Sequence, residues 1–170
     1  MELGINTTSD HHVVLGNGVP PECRAGWPEE RPLRVISASD PSRGLAQLLD
    51  AWPFVKTKEP GASLHVYCSF RVSYALAQNS PGMPQFHELR ALEMKLRKMS
   101  AAPNSGVSFF EWCTQKQVIE AMKQARVYCY PGGPMPEGYG VALAQAQACG
   151  VFVMAPASGA LPEVLGEGGA

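Results

Sequence analysis

The chain has 170 residues, 45% of them apolar and 17% charged, which fits one domain with a single core and excludes a disordered chain. Its 14 Lys and Arg nearly balance 15 Asp and Glu, so no net field draws the whole molecule onto nucleic acid or an anionic membrane, and any bound anion must be held locally. No apolar run reaches the ~18 residues needed to span a bilayer, and the opening MELGINTTSDHH lacks the basic-then-apolar order of a secretion signal, so a soluble, cytoplasmic protein without a transmembrane segment is expected.

From Leu33 onward, short apolar runs alternate with segments of helical period, and turn residues fall between them. LRVISAS is the first predicted strand, closed by the turn DPSRG. The following helix, GLAQLLDAWPFV, places Leu45, Leu48, Leu49 and Trp52 on one core face, with Pro53 near its end. SLHVYCSF reads as the second strand. A long connection, RVSYALAQNSPGMP, then leads into QFHELRALEMKLRKMSA, an amphipathic helix with Leu89, Leu92 and Leu96 inward and Glu88, Arg90, Lys95 and Arg97 outward. The cluster of Lys95, Arg97 and Lys98 reads as a solvated helix face.

GVSFFEW is the third predicted strand, TQKQVIEAMKQA a helix and RVYCYP the fourth strand. The loop GGPMPEGYG enters the alanine-rich helix VALAQAQACG, which Gly150 ends in the C′ role. VFVMAPAS is the fifth strand, and a short helix starting at Gly159 or Ala160 follows it. Strand then helix, repeated, with near-continuous apolar strands, implies a doubly wound α/β fold with a parallel sheet. Strand order 3-2-1-4-5 would set strands one and four side by side, which puts a ligand site between the loops at 40–44 and 131–140.

The five cysteines, Cys23, Cys68, Cys113, Cys129 and Cys149, are odd in number and widely spaced, and three lie in strongly apolar runs, so free buried thiols are expected. No Cys and His fall at zinc-ligand spacing, and His11 and His12 read as a solvated loop pair. At the fourth loop, Glu137, Gly138, Tyr139 and Gly140 open a helix whose backbone N–H groups point to the switch point, where glycines admit a phosphate. Arg43 in the facing loop supplies a matching cation. The same glycines would equally serve a tight turn, and Arg43 a solvated helix start.

Several separated stretches carry a resemblance. ISASDPSRGLAQLLDAWPFVKTKEPGASLHVYCSF, GVSFFEWCTQKQVIEAMKQARVYCYPG and EGYGVALAQAQACGVFVMAPASGALPEVL, with VVLGNGV upstream, resemble the nucleotide-sugar-binding domain of GT-B glycosyltransferases of family 4 type, the glycosyl transferases group 1. The resemblance implies a Rossmann-like donor domain over 31–170, with 1–30 leading in from a preceding acceptor domain. It implies a retaining hexosyltransferase that moves a hexose from a nucleotide diphosphate sugar, such as a UDP sugar, to a hydroxyl of a carbohydrate, lipid or protein acceptor. No metal, no further cofactor and no nucleic-acid partner are implied.

Carried onto matching positions, the resemblance makes Glu137 the contact to the hexose hydroxyls and Arg43 a diphosphate cation, the two residues assigned to catalysis. Gly138, Tyr139 and Gly140 join them in donor binding. Eight positions after Glu137, where the family has a second Glu for the ribose, this chain has Gln145, which can hydrogen-bond a hydroxyl without a charge. Two turns of helix would set 137 and 145 on nearly one face. The family's earlier first-loop cation falls near Ser37, and Pro41 and Ser42 interrupt the related loop pattern. Asn17 and Gly18 read as a turn, Trp52 as core, Tyr67 as core more than pocket, Phe70 as a contributor to a nucleobase pocket, and Glu163 as a first-turn acid beside the phosphate loop. The chain is expected to be a fragment or a truncated reading frame. Two alternatives remain, a non-catalytic nucleotide-sugar module and a nucleotide-sugar epimerase or sugar phosphorylase of the same architecture. The loop region 131–150 has no lysine for pyridoxal, and SASDPSRG has no dinucleotide-binding glycine pattern.

Overall fold

The computed structural model describes residues 17–78, 86–133 and 135–166, so His11, His12 and most of VVLGNGV lie outside the described residues. Its elements in chain order are a 3-10 turn at Pro21–Arg24, β1 (Arg34–Ala38), α1 (Leu45–Lys58), β2 (Ser63–Tyr67), α2 (Phe70–Ala77) and α3 (Phe86–Ala101). They continue with β3 (Val107–Phe110), α4 (Gln115–Lys123), β4 (Val127–Cys129), α5 (Val141–Ala148), β5 (Phe152–Met154) and α6 (Leu161–Leu165). The sheet is parallel throughout, in the order β3-β2-β1-β4-β5 that the alternation predicts. Val35 pairs with Val127 and Ile36 with Tyr128, so β1 and β4 meet at the centre, with β2 and β3 added on one side of them and β5 on the other.

Alternate strand residues feed two cores, one on each face. Leu64, Val66 and Cys129 pack with Leu45, Leu49 and Trp52 of α1 and with Leu96 of α3. Ile36, Tyr128 and Val153 pack on the other face with Ile119, Met122, Leu143 and Leu161 from α4, α5 and α6. Trp52 is the largest fully buried side chain, and its indole N–H donates to the Ser105 carbonyl at 2.8 Å. Replacing it with alanine would cost about 3–5 kcal/mol, because both a large cavity and an unpaired carbonyl would remain.

Three expectations are corrected. Helix α1 runs past the predicted end at Val55 to Lys58, with the exposed Pro53 inside it and Trp52 buried next to it. The second strand stops at Tyr67, and the connection after it begins with helix α2, where Phe70 and Ser73 are buried on one face and Tyr74 leans on Phe70. Cys23 lies outside the apolar runs, yet it is fully buried, and Cys68 within one is half-buried; all five thiols are free. Thr114 and Gln117 form a reciprocal capping box that starts α4. Residues upstream of β1 also pack on the domain, where Arg31 donates to the carbonyls of Cys149 and Gly150.

Candidate functional site at the switch point

The loop after β1 is organised by Asp40. One carboxylate oxygen accepts from the backbone N–H and hydroxyl of Ser42 at 2.9 and 2.6 Å, and the other accepts from the buried Ser73 hydroxyl of α2 at 2.7 Å. This turn delivers Arg43 and Gly44 to the loop after β4. Gly44, at φ 86, lies so close to it that a Cβ would stand 2.6 Å from the Gly132 carbonyl and from Pro131. Arg43 in turn lies along Gly133, whose own missing Cβ would be 3.0 Å from the arginine stem.

Here the two catalytic candidates meet. Arg43 Nη1 stands 3.5 Å from Oε2 of Glu137, and the Tyr130 hydroxyl donates to that same oxygen at 2.6 Å. Burial alone would raise the Glu137 pKa, but the Tyr130 hydrogen bond, the Arg43 charge and the backbone N–H groups of Tyr139 and Gly138 outweigh it and hold the carboxyl below its ordinary value. The backbone of Glu137 is held from the far side, where its carbonyl accepts from Ala160 at 2.9 Å. Gly159, at φ 60, packs against it so tightly that a Cβ would come within 2.2 Å of that carbonyl oxygen. Gly138 has open space around it, and α5 starts at Val141 without a side-chain cap, leaving backbone donors at the loop-to-helix junction.

Two cavities open among the loops after the strands, one of them at Glu137. One, about 180 Å³, is lined by Glu137, Tyr130, Gly132, Gly133 and Ser158. The other, about 390 Å³, is lined by Gln145, Asp40, Tyr67, Cys68 and Ser69. Burial pushes the Cys68 thiol up to about 12, with nearby Asp40, Glu111 and Glu93 adding to it, so this thiol stays protonated. A further cavity, about 700 Å³ beside Trp27, Arg126 and Phe152, opens at the amino ends of β4 and β5, away from the switch point.

Arg43, Glu137, Gly138 and Gly140 lie together in the loops after β1 and β4, while Gln145 lines the other cavity. The helical-face argument for 137 and 145 is corrected, since Glu137 precedes α5 and the two residues line different cavities. The Tyr139 hydroxyl donates to the Asn17 carbonyl at 3.0 Å, which leaves its backbone as its contribution to the site. The expectations for Tyr67 and Phe70 exchange places: Phe70 is 1% exposed in the core, whereas Tyr67 stacks on Phe110 at 4.6 Å and lines the larger cavity. Ser37 is buried within β1, and Glu163 is an exposed acid in the first turn of α6. Sequence reasoning missed Tyr130, Ser73 and the structural role of Asp40. Among the described residues, Arg43 Nη1 and Ser69 Oγ are buried without a hydrogen-bond partner, and both face this region.

Comparison with known proteins points the same way. Residues 33–170 match the family of glycosyl transferases group 1. A GDP-mannose-dependent monoacylated alpha-(1-6)-phosphatidylinositol monomannoside mannosyltransferase of Corynebacterium glutamicum is 28% identical over 130 residues, 74% of this chain and 29% of that protein. The structure of Anabaena Alr3699/HepE in complex with UDP and glucose superposes with TM-score 0.54 at 17% identity, over 78% of this chain and 32% of its own. A trehalose-6-phosphate synthase, studied with bisubstrate glycomimetics for glycosyltransfer with retention, gives TM-score 0.62 at 12% identity, over 86% of this chain and 37% of its own. The chain therefore spans about a third of the length of these relatives.

Proposed function

Because the chain belongs to the glycosyl transferases group 1 family, we propose that its switch-point site binds a nucleotide diphosphate sugar as the donor half of a retaining hexosyltransferase. The observation that carries this reading is the meeting of Arg43 and Glu137 in the loops that follow β1 and β4, with one cavity lined by Glu137. The larger cavity suits the nucleoside, with Gln145 toward the ribose, and the smaller one the hexose. A GDP-mannose-dependent relative and a neighbour holding UDP and glucose support the ligand class.

Transfer makes the nucleoside diphosphate a leaving group that gains negative charge as its bond to the sugar breaks. Arg43 and the backbone donors at Gly140 and the uncapped first turn of α5 would stabilise that charge without reorganising, and Glu137 would fix the sugar by accepting from its hydroxyls. These groups need no divalent metal, so binding should be insensitive to a chelator. The acceptor hydroxyl is the province of a region outside this one.

Gln145 favours a second reading, a nucleotide-sugar-binding module without turnover, because an amide holds a ribose hydroxyl more weakly than a carboxylate does. The test of the donor reading is ligand discrimination. Glu137→Ala should weaken UDP-glucose or GDP-mannose at least tenfold and free UDP or GDP much less; equal losses would remove the sugar from Glu137.

A further inference from the structure

Glu137 sits on a glycine- and proline-rich loop between β4 and α5, with no regular element of its own to fix its side chain. Tyr130, directly after β4, comes from the rigid side of that loop. Its backbone N–H bonds the Met154 carbonyl of β5 at 2.9 Å, and the residue is 3% exposed, so its ring has one place to go. From there its hydroxyl reaches Glu137 Oε2 at 2.6 Å, the oxygen that Arg43 Nη1 approaches only to 3.5 Å. A direct charge-assisted contact would close to about 2.7–2.9 Å. The phenol thus makes the short hydrogen bond to Oε2, while the guanidinium holds a longer ion pair to the same atom and also interacts with the Tyr130 side chain.

We infer that Tyr130 is a positioning residue of the donor site, holding the Glu137 carboxylate in place for the sugar beside Arg43. This rests on the donor reading above. Burial and the bond to Glu137 push the Tyr130 phenol up to about 12, so it remains a neutral donor across the working pH range. A carboxylate already oriented by a buried donor also has fewer rotamers to give up on binding.

The test is calorimetric titration of the whole chain and its Tyr130→Phe variant with UDP-glucose, GDP-mannose, UDP and GDP. The variant keeps the ring, and circular dichroism checks its fold. The expected result is an affinity for the sugar nucleotide lowered about tenfold, with the free nucleoside diphosphate changed less than threefold. The fall of sugar-nucleotide affinity at low pH should also begin at higher pH in Tyr130→Phe, since Glu137 loses the hydrogen bond that lowers its pKa. In a Glu137→Gln background, Tyr130→Phe should add no further loss. Equal losses for both ligand classes, or a full further loss in the Glu137→Gln background, would overturn the positioning role while leaving the donor reading intact. Binding of no nucleotide by the folded wild-type chain would overturn both together.

Discussion

Arg43 Nη1 and Glu137 Oε2 lie 3.5 Å apart, joining the loops that follow the two central strands, β1 and β4. The pair is a consequence of strand order: only when β1 and β4 are neighbours do their carboxyl-end loops share one crevice. The contact is partly exposed, so its worth to stability is about 1 kcal/mol or less. Its consequence lies in ligand binding, because it sets a cation and a carboxylate of defined geometry side by side.

Arg43→Ala should therefore leave the thermal midpoint nearly unchanged and weaken UDP or GDP by roughly tenfold or more, the scale of one lost charged hydrogen bond. Parallel thermal melts and titrations check this. A large drop in stability with unchanged nucleotide affinity would make Arg43 structural.

Gly159→Ala tests how Glu137 is held. The new methyl would overlap the Glu137 carbonyl oxygen at 2.2 Å, and the residue sits at φ 60, so the two loops must separate. Sugar-nucleotide binding should fall at least tenfold in a chain that keeps its circular dichroism spectrum. Gly138→Ala, with open space around it, is the control and should fold normally.

Gln145→Glu should tighten both nucleoside diphosphate and sugar nucleotide, because a carboxylate accepts more strongly from ribose hydroxyls than an amide does. Titration of both ligands reads the change. An unaltered affinity would place the ribose away from Gln145.

Acid should destabilise the fold through His65. Burial, aided by the positive charge of Arg34, lowers its pKa from 6.5 to about 4 in the folded chain. Between these values the unfolded chain binds a proton that the folded chain does not, so stability is constant above pH 6.5 on this account and falls as pH drops toward 4. Thermal midpoints measured across that window should decline less steeply in His65→Gln.

The sheet order was legible because each strand is a short apolar run bounded by turn residues, and the loops carrying Arg43 and Glu137 could be paired from that order alone. Helix α2 was not, since its buried residues Phe70 and Ser73 with Tyr74 span barely one turn, and Phe70 reads as the tail of an apolar strand. Tyr130 likewise reads as the last residue of RVYCYP. Its part in the site depends on the following loop turning back to bring Glu137 to its hydroxyl, a path set by packing on Gly44 and Gly159. The bond between Asp40 and Ser73 joins segments 33 residues apart, and no local pattern announces it.

The central claim, that the switch point binds a nucleotide diphosphate sugar, is met most directly by calorimetric titration of the chain with UDP, GDP, ADP and their sugar conjugates, with and without a chelator. The account predicts saturable, chelator-insensitive binding of one nucleotide that Arg43→Ala weakens. Absence of binding by a chain shown to be folded, or binding that Arg43→Ala leaves untouched, would contradict it.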